Sequence, residues 1–224
     1  MSGHAIFVIN PNSSENVTAA IHRSVQPLGR WGPELRCETL DEGPPGIESQ
    51  AQADAVIPAL LARAQSHAEG AAAIVIACFG DPGLHALRDV MRCPVVGIQE
   101  AAVGMAMTLG HRFGILAILG RSVPRHHRAL GAMGVLSRFA ASRPLELSVA
   151  ELADVATTRS RLREVGTRLR DEDGADVLIL GCAGMADQRR ALEDALGLPV
   201  VEPCQAGVAQ AIALATLGLV SRRD

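Results

Sequence analysis

Lysine is missing from this chain: all 21 basic residues are arginine. A Schiff-base lysine, a pyridoxal-phosphate lysine and a Walker-type phosphate loop each need a primary amine, so all three are excluded. Tyrosine is missing too, and aromatic residues make up only 2 %, which removes the stacking platforms that hold single-stranded nucleic acid. The formal net charge is -3 with no basic run to offset it, so there is no electrostatic footprint for nucleic acid either. No apolar run approaches the roughly 20 residues of a spanning helix. The opening MSGHAIFVINPNSS has no basic segment and no small-residue cleavage site. A cytoplasmic protein with neither a membrane nor a nucleic-acid partner is expected. No serine sits in a G-x-S-x-G elbow, and GHRFG at 110–114 has too few glycines for a dinucleotide fingerprint.

What is present is an ordinary globular composition, with 48 % hydrophobic and 20 % charged residues in 224. That length can bury one larger domain or two of about 100 residues each. Five cysteines, an odd count without C-x-x-C pairs, argue against a disulfide framework and leave buried or reactive thiols.

Short β-like apolar runs alternate with longer amphipathic segments, which predicts βαβ units and parallel sheets. In the first half the predicted strands are 5–10, 34–40, 72–77 and 94–98. Predicted helices cover 14–28, 48–68, 83–91 and 100–109. In the second half, strands are expected at 112–118, 176–181 and 199–203, with a poorly defined segment near 137–141. Helices are expected at 122–133, 185–196 and 205–217, and from the Ser148–Glu151 capping box to about 171.

The halves also resemble each other. AAAIVIACFGDPG followed by CPVVGIQEAAVGMAMTLG compares with ADVLILGCAGMA followed by LPVVEPCQAGVAQAIALATLG. Cys78 lies 16 residues before the proline of its PVV, Cys182 lies 17 before the equivalent proline, and the two are 104 residues apart. The repeat implies two pseudo-symmetric α/β lobes with mostly parallel sheets and a cleft between them. The first lobe is expected at 1–108 and the second at 109–204, with the final helix within 205–224 crossing back to the first.

Each of these cysteines directly follows a buried strand and precedes glycine-containing turns. Ligands of open parallel sheets bind at the carboxyl ends of strands. Two thiols opposed across a cleft suit racemisation: one removes a proton from a stereocentre and the other delivers one to the opposite face. Helix N-termini nearby can lower a thiol pKa and offer N–H groups to an enolate oxygen. Cys37, Cys93 and Cys204 read as buried core. His126 and His127 lack partner ligands at useful spacing and read as a solvated helix face. Arg189, Arg190, Arg222 and Arg223 read as surface charges.

INPNSSENVT, VIACFGDPGL, PVVGIQEAA, RFGILAILGRSVP and VLILGCAGMA together resemble the hydantoin racemase branch of the aspartate/glutamate/hydantoin racemase superfamily. The resemblance implies a two-lobed fold with the site between the lobes, Cys78 and Cys182 as the acid–base pair, and neither metal nor organic cofactor. It places Asn10 at the mouth of the first strand. It assigns Phe79, Gly80, Ala183 and Gly184 to turns whose amides hold the substrate's oxygens. A small-molecule substrate is implied, and a homo-oligomer is compatible with it. Ala117 and Ile118 depart from a threonine pair expected at that place, which favours a less polar 5-substituted hydantoin, or a related small acid, at least as much as allantoin. Two alternatives stay open: a maleate-isomerase-like or decarboxylase-like reaction on the same scaffold, and a binding protein without catalysis. Arylmalonate decarboxylases keep only the second-lobe cysteine.

Overall fold

Residues 4–220 are described by a computed structural model; Arg222 and Arg223 lie outside them. The first strand, β1 (Ala5–Asn10), is buried along its whole length, as its apolar run over 5–9 must be when a parallel sheet is covered on both faces. α1 (Glu15–Val25) follows, its first turn capped by Ser14. Next come β2 (Leu35–Thr39), α2 (Gln50–Ala55), α3 (Ile57–Ser66), β3 (Ala71–Ile76), α4 (Leu84–Val90), β4 (Val95–Gly97) and α5 (Ile98–Leu109). The four strands form one parallel sheet in the order β2-β1-β3-β4.

The second half repeats this with β5 (Phe113–Ala117), α6 (Val123–Ala132), β6 (Phe139–Pro144), α7 (Val155–Asp171), β7 (Val177–Leu180), α8 (Arg189–Leu196), β8 (Val200–Val201) and α9 (Pro203–Thr216). Its sheet runs β6-β5-β7-β8, again all parallel. The order matches the first sheet strand for strand, so the sequence repeat is a structural duplication with two pseudo-symmetric α/β lobes.

The last helices of the two halves are exchanged. α5 packs against β7 of the second sheet and α9 against β3 of the first, while α5 and α9 also contact each other. A Cβ at Gly207 of α9 would lie 2.9 Å from Ile98 Cγ2, so glycine there permits the close crossing. One hydrophobic core therefore runs continuously from Ile6 and Val75 to Ile115 and Leu180.

Two local expectations need correction. The helix expected over 48–68 is two helices broken at Val56, because Pro58 has no N–H and its ring crowds the carbonyl four residues back. The capping box at Ser148 and Glu151 does form, but it closes a single 3-10 turn. The carboxylate of Asp154 then caps α7 through the amides of Ala156 and Thr157. The indistinct segment near 137–141 does run into a strand, β6, an edge strand that is half-buried throughout.

Candidate active site

Both β3 and β7 end in a cysteine-bearing turn. Cys78 follows β3 by two residues, and the chain then passes through Gly80 (φ 115°) and Asp81 (φ 48°). Gly80 supplies a left-handed conformation that a side chain would resist. Cys182 follows β7 after Gly181, where a Cβ would lie 2.5 Å from the Leu116 carbonyl oxygen. Its sulfur accepts the Gly184 N–H at 3.4 Å. Both cysteines are partly open, and both line one small cavity between the lobes together with Phe79, Ala183 and Gly184.

That inner cavity has about 20 Å³ of free space; Val17, Ile47, Ile118 and Val149 are apolar parts of its wall, and Asn12, Ser122, Arg125 and His126 polar ones. A second cavity of about 320 Å³ adjoins it and shares Ile47, Cys78, Phe79 and Arg125; Gly80, Asp81, Gln99 and Arg128 complete much of its lining. A clasp crosses between the lobes here. Glu48 takes Arg121 Nη2 at 2.7 Å and the Val149 N–H at 2.9 Å.

Burial pushes the Cys78 thiol well above the ordinary thiol range, Cys182 and Asp81 push it further, and Arg125 opposes them. Cys182 rises to about 11 through burial, against the Gly184 hydrogen bond that lowers it. Both thiols are thus protonated at neutral pH in the substrate-free state, and each thiolate, once formed, is a strong base.

The two lobes hold a carboxylate at the same helix terminus by different means. In the first, Asp81 reaches from the cysteine turn to accept the Gln99 and Glu100 amides at 2.9 Å each. Gly97 stands at the N-cap, where a Cβ would meet the Asp81 carboxyl at 2.3 Å. In the second, the N-cap residue Glu202 itself accepts the Cys204 and Gln205 amides at 2.8 Å each. Burial raises the pKa of both groups, that of Asp81 to about 7.

A family model described as Asp/Glu/Hydantoin racemase matches residues 6–211. The chain belongs to this family. It is 36 % identical over 221 residues to a hydantoin racemase of Rhizobium meliloti, covering 97 % of this chain and 91 % of that one. Among solved structures, allantoin racemase from Klebsiella pneumoniae superposes with a TM-score of 0.93 at 34 % identity, covering 97 % of this chain and 90 % of that one. Allantoin racemase from Pseudomonas fluorescens gives 0.91 at 28 %, covering 97 % and 93 %. This member of the family therefore lies in its hydantoin/allantoin branch, among racemases and isomerases.

Within this racemase-family fold, the residues expected at the site are mostly brought together. Cys78, Phe79, Ala183, Cys182 and Gly184 meet at the inner cavity, and Gly80 lines the outer one. Asn10 does not reach either. It is wholly buried and donates to Asn12 Oδ1 and Thr18 Oγ1, both at 3.0 Å. Asn12, two residues on, is the one that lines the cavity. Ile118 presents an apolar wall and Ala117 is buried behind it.

The solvated reading of His126 is overturned. It is 2 % exposed, bonds Ser142 Oγ through Nδ1 at 3.0 Å, and meets the Phe79 ring edge-on at 5.1 Å between centroids. Burial, then Arg125, lowers its pKa to about 3, so the cavity wall contains a neutral imidazole. His127 is exposed. Arg189 is not a bare surface charge: it bonds the Val200 carbonyl at 3.0 Å and Gln205 Oε1 at 2.8 Å. Cys93 and Cys204 are buried, and Cys37 is half-buried at the core's margin. Among the described residues no group of three His, Cys, Asp or Glu side chains could hold a metal ion, and no helix is long and apolar enough to cross a membrane. Asn12, Asp81, Gln99, Arg125 and His126 are the cavity residues that sequence reasoning missed. A glutamine beside Glu100 in the first turn of the mostly apolar IQEAAVGMAM was the one available signal.

Proposed function

We propose that this protein racemises a 5-substituted hydantoin, or a related small acid with an activated C–H, by two-base proton transfer without cofactor. The observation that carries the reading is the pair of thiols, from equivalent turns of duplicated lobes, lining one cavity. Cys78 as thiolate removes the proton at the stereocentre, and the electron pair moves onto the adjacent carbonyl as an enolate. The protonated Cys182 then delivers its proton to the opposite face, and the reverse direction exchanges their roles. Amides of the turns 79–80 and 183–184 take the enolate oxygen. A thiol held near 11 is scarce as thiolate but strongly basic, which suits a weakly acidic C–H. The inner cavity's 20 Å³ holds about one water, so this space must widen to admit a substrate.

The test is hydrogen–deuterium exchange of enantiopure 5-substituted hydantoins in deuterium oxide, read by proton NMR and polarimetry. In Cys78→Ser and Cys182→Ser a hydroxyl replaces the thiol but is a far poorer base. Racemisation falls about a hundred- to ten-thousand-fold in each. Each variant keeps exchange for only one enantiomer, and the two prefer opposite ones. A Cys78→Ser protein racemising near the wild-type rate would overturn the assignment.

A further inference from the structure

We infer that the outer cavity receives the substrate's C5 substituent, and that Arg125 and Gln99 select a substituent ending in a carboxylate. This rests on the hydantoin reading above. The reacting carbon must lie between the thiols, and Cys182 lines only the inner cavity. A substituent leaves that space past Cys78 and Phe79, which line both cavities, and enters the wall that holds Gln99 and Arg125.

Gln99 is 2 % exposed, and its side-chain Nε2 has no hydrogen-bond partner. Arg125 places Nη2 on Ser122 Oγ at 3.1 Å and on the Glu48 carbonyl at 3.4 Å, yet its buried Nε has none. An unpaired buried donor costs stability, so native structures rarely keep one without a use. The two residues that carry these donors, one from α5 and one from α6, line the same 320 Å³ space. A carboxylate brings two acceptor oxygens to these donors, and adds the charge that a guanidinium matches. Of the two acidic side chains in this wall, Asp81 has no oxygen left to compete. Both oxygens of Asp81 are taken by the amides of Gln99 and Glu100, and Asp54 Oδ1 is bound by Gln50 Nε2 at 2.8 Å. Arg128, which lines the same space, adds a second positive charge. An apolar substituent would leave both donors unpaired, which is how a polar site rejects an isostere.

The experiment compares 5-(2-carboxyethyl)hydantoin with its apolar isostere 5-(3-methylbutyl)hydantoin, using the wild type, Arg125→Gln and Gln99→Met. The wild type is expected to favour the carboxylate in kcat/KM by about ten- to a hundredfold. That ratio falls towards one in Arg125→Gln and several-fold in Gln99→Met, mainly through KM. Gln99→Met removes an unpaired amide, so its Tm stays level or rises and its loss of preference is not unfolding. Equal use of the two hydantoins by the wild type, or a ratio that survives both substitutions, overturns the inference and leaves the racemase reading standing. If the wild type racemises neither compound, the hydantoin reading fails and calorimetric titration of the same compounds decides. Tighter binding of the carboxylate, lost in both variants, supports the selective wall; equal or unaltered binding overturns it.

Discussion

The duplicated halves cap the same helix terminus from different places, and the two caps should be interchangeable. Gly97 (φ -86°, ψ 136°) and Glu202 (φ -89°, ψ 119°) have nearly the same backbone, so glutamate at the first position meets no conformational barrier. What excludes it is the Asp81 carboxyl, 2.3 Å from where a Cβ would be. Gly97→Glu alone must expel that carboxyl from both amides, and costs about 3 kcal/mol or more on the scale of unsatisfied buried donors. Asp81→Gly alone leaves the Gln99 and Glu100 amides to water in the outer cavity and costs about 2–3 kcal/mol. Glycine is the right replacement there because the position has positive φ. Combined, the two changes recreate the Glu202 arrangement, and the double variant should lie within about 1 kcal/mol of the wild type, a coupling of about 4–5 kcal/mol. Urea unfolding followed by circular dichroism measures all four proteins. Additive destabilisation would refute the equivalence of the caps.

Two further outcomes follow from the buried titrating groups. Asp81 holds its proton more tightly folded (about 7) than at its ordinary 3.8, so its share of stability is present below about pH 4 and is lost as pH rises to 7, about 4 kcal/mol in all. His126 is shifted down, from 6.5 to about 3, so its share is present above pH 6.5 and is lost as pH falls towards 3, about 5 kcal/mol. The two slopes oppose each other between about pH 4 and 6.5. Unfolding free energies of Asp81→Asn should therefore fall towards acid and those of His126→Gln towards neutrality; parallel profiles for both would show these groups to be uncoupled from folding. Alkylation of Cys182 by iodoacetamide, read by mass spectrometry, should still be accelerating at pH 10, since the thiol titrates near 11; a plateau at the ordinary value near 8.5 would contradict it.

The sheets were legible because parallel strands covered on both faces leave continuous apolar runs, as in AIFVI and VLIL. The duplication was legible because both copies keep a cysteine turn and a PVV strand. β6 was indistinct because an edge strand with every residue half-buried shows no alternation. His126 was misread because α6 has low overall hydrophobicity, yet the buried side chains of that helix are His126 and Leu130, one turn apart on one face. Arg125 could not be found locally at all, and Gln99 only as a polar residue at the start of a mostly apolar helix. They sit on helices of different halves, and only the docking of the lobes puts them in one wall.

The unequal surroundings of the two thiols carry a thermodynamic consequence. Enantiomers with one stereocentre have equal free energies in water, so a racemase must show the same kcat/KM in both directions whatever its architecture. Cys78 feels both Asp81 and Arg125, whereas Cys182 has the Gly184 amide and the more distant Glu48. That imbalance cannot favour one product at equilibrium. On the two-thiol reading it can appear only as a matched pair of changes, with the enantiomer that is turned over more slowly also saturating the protein at the lower concentration.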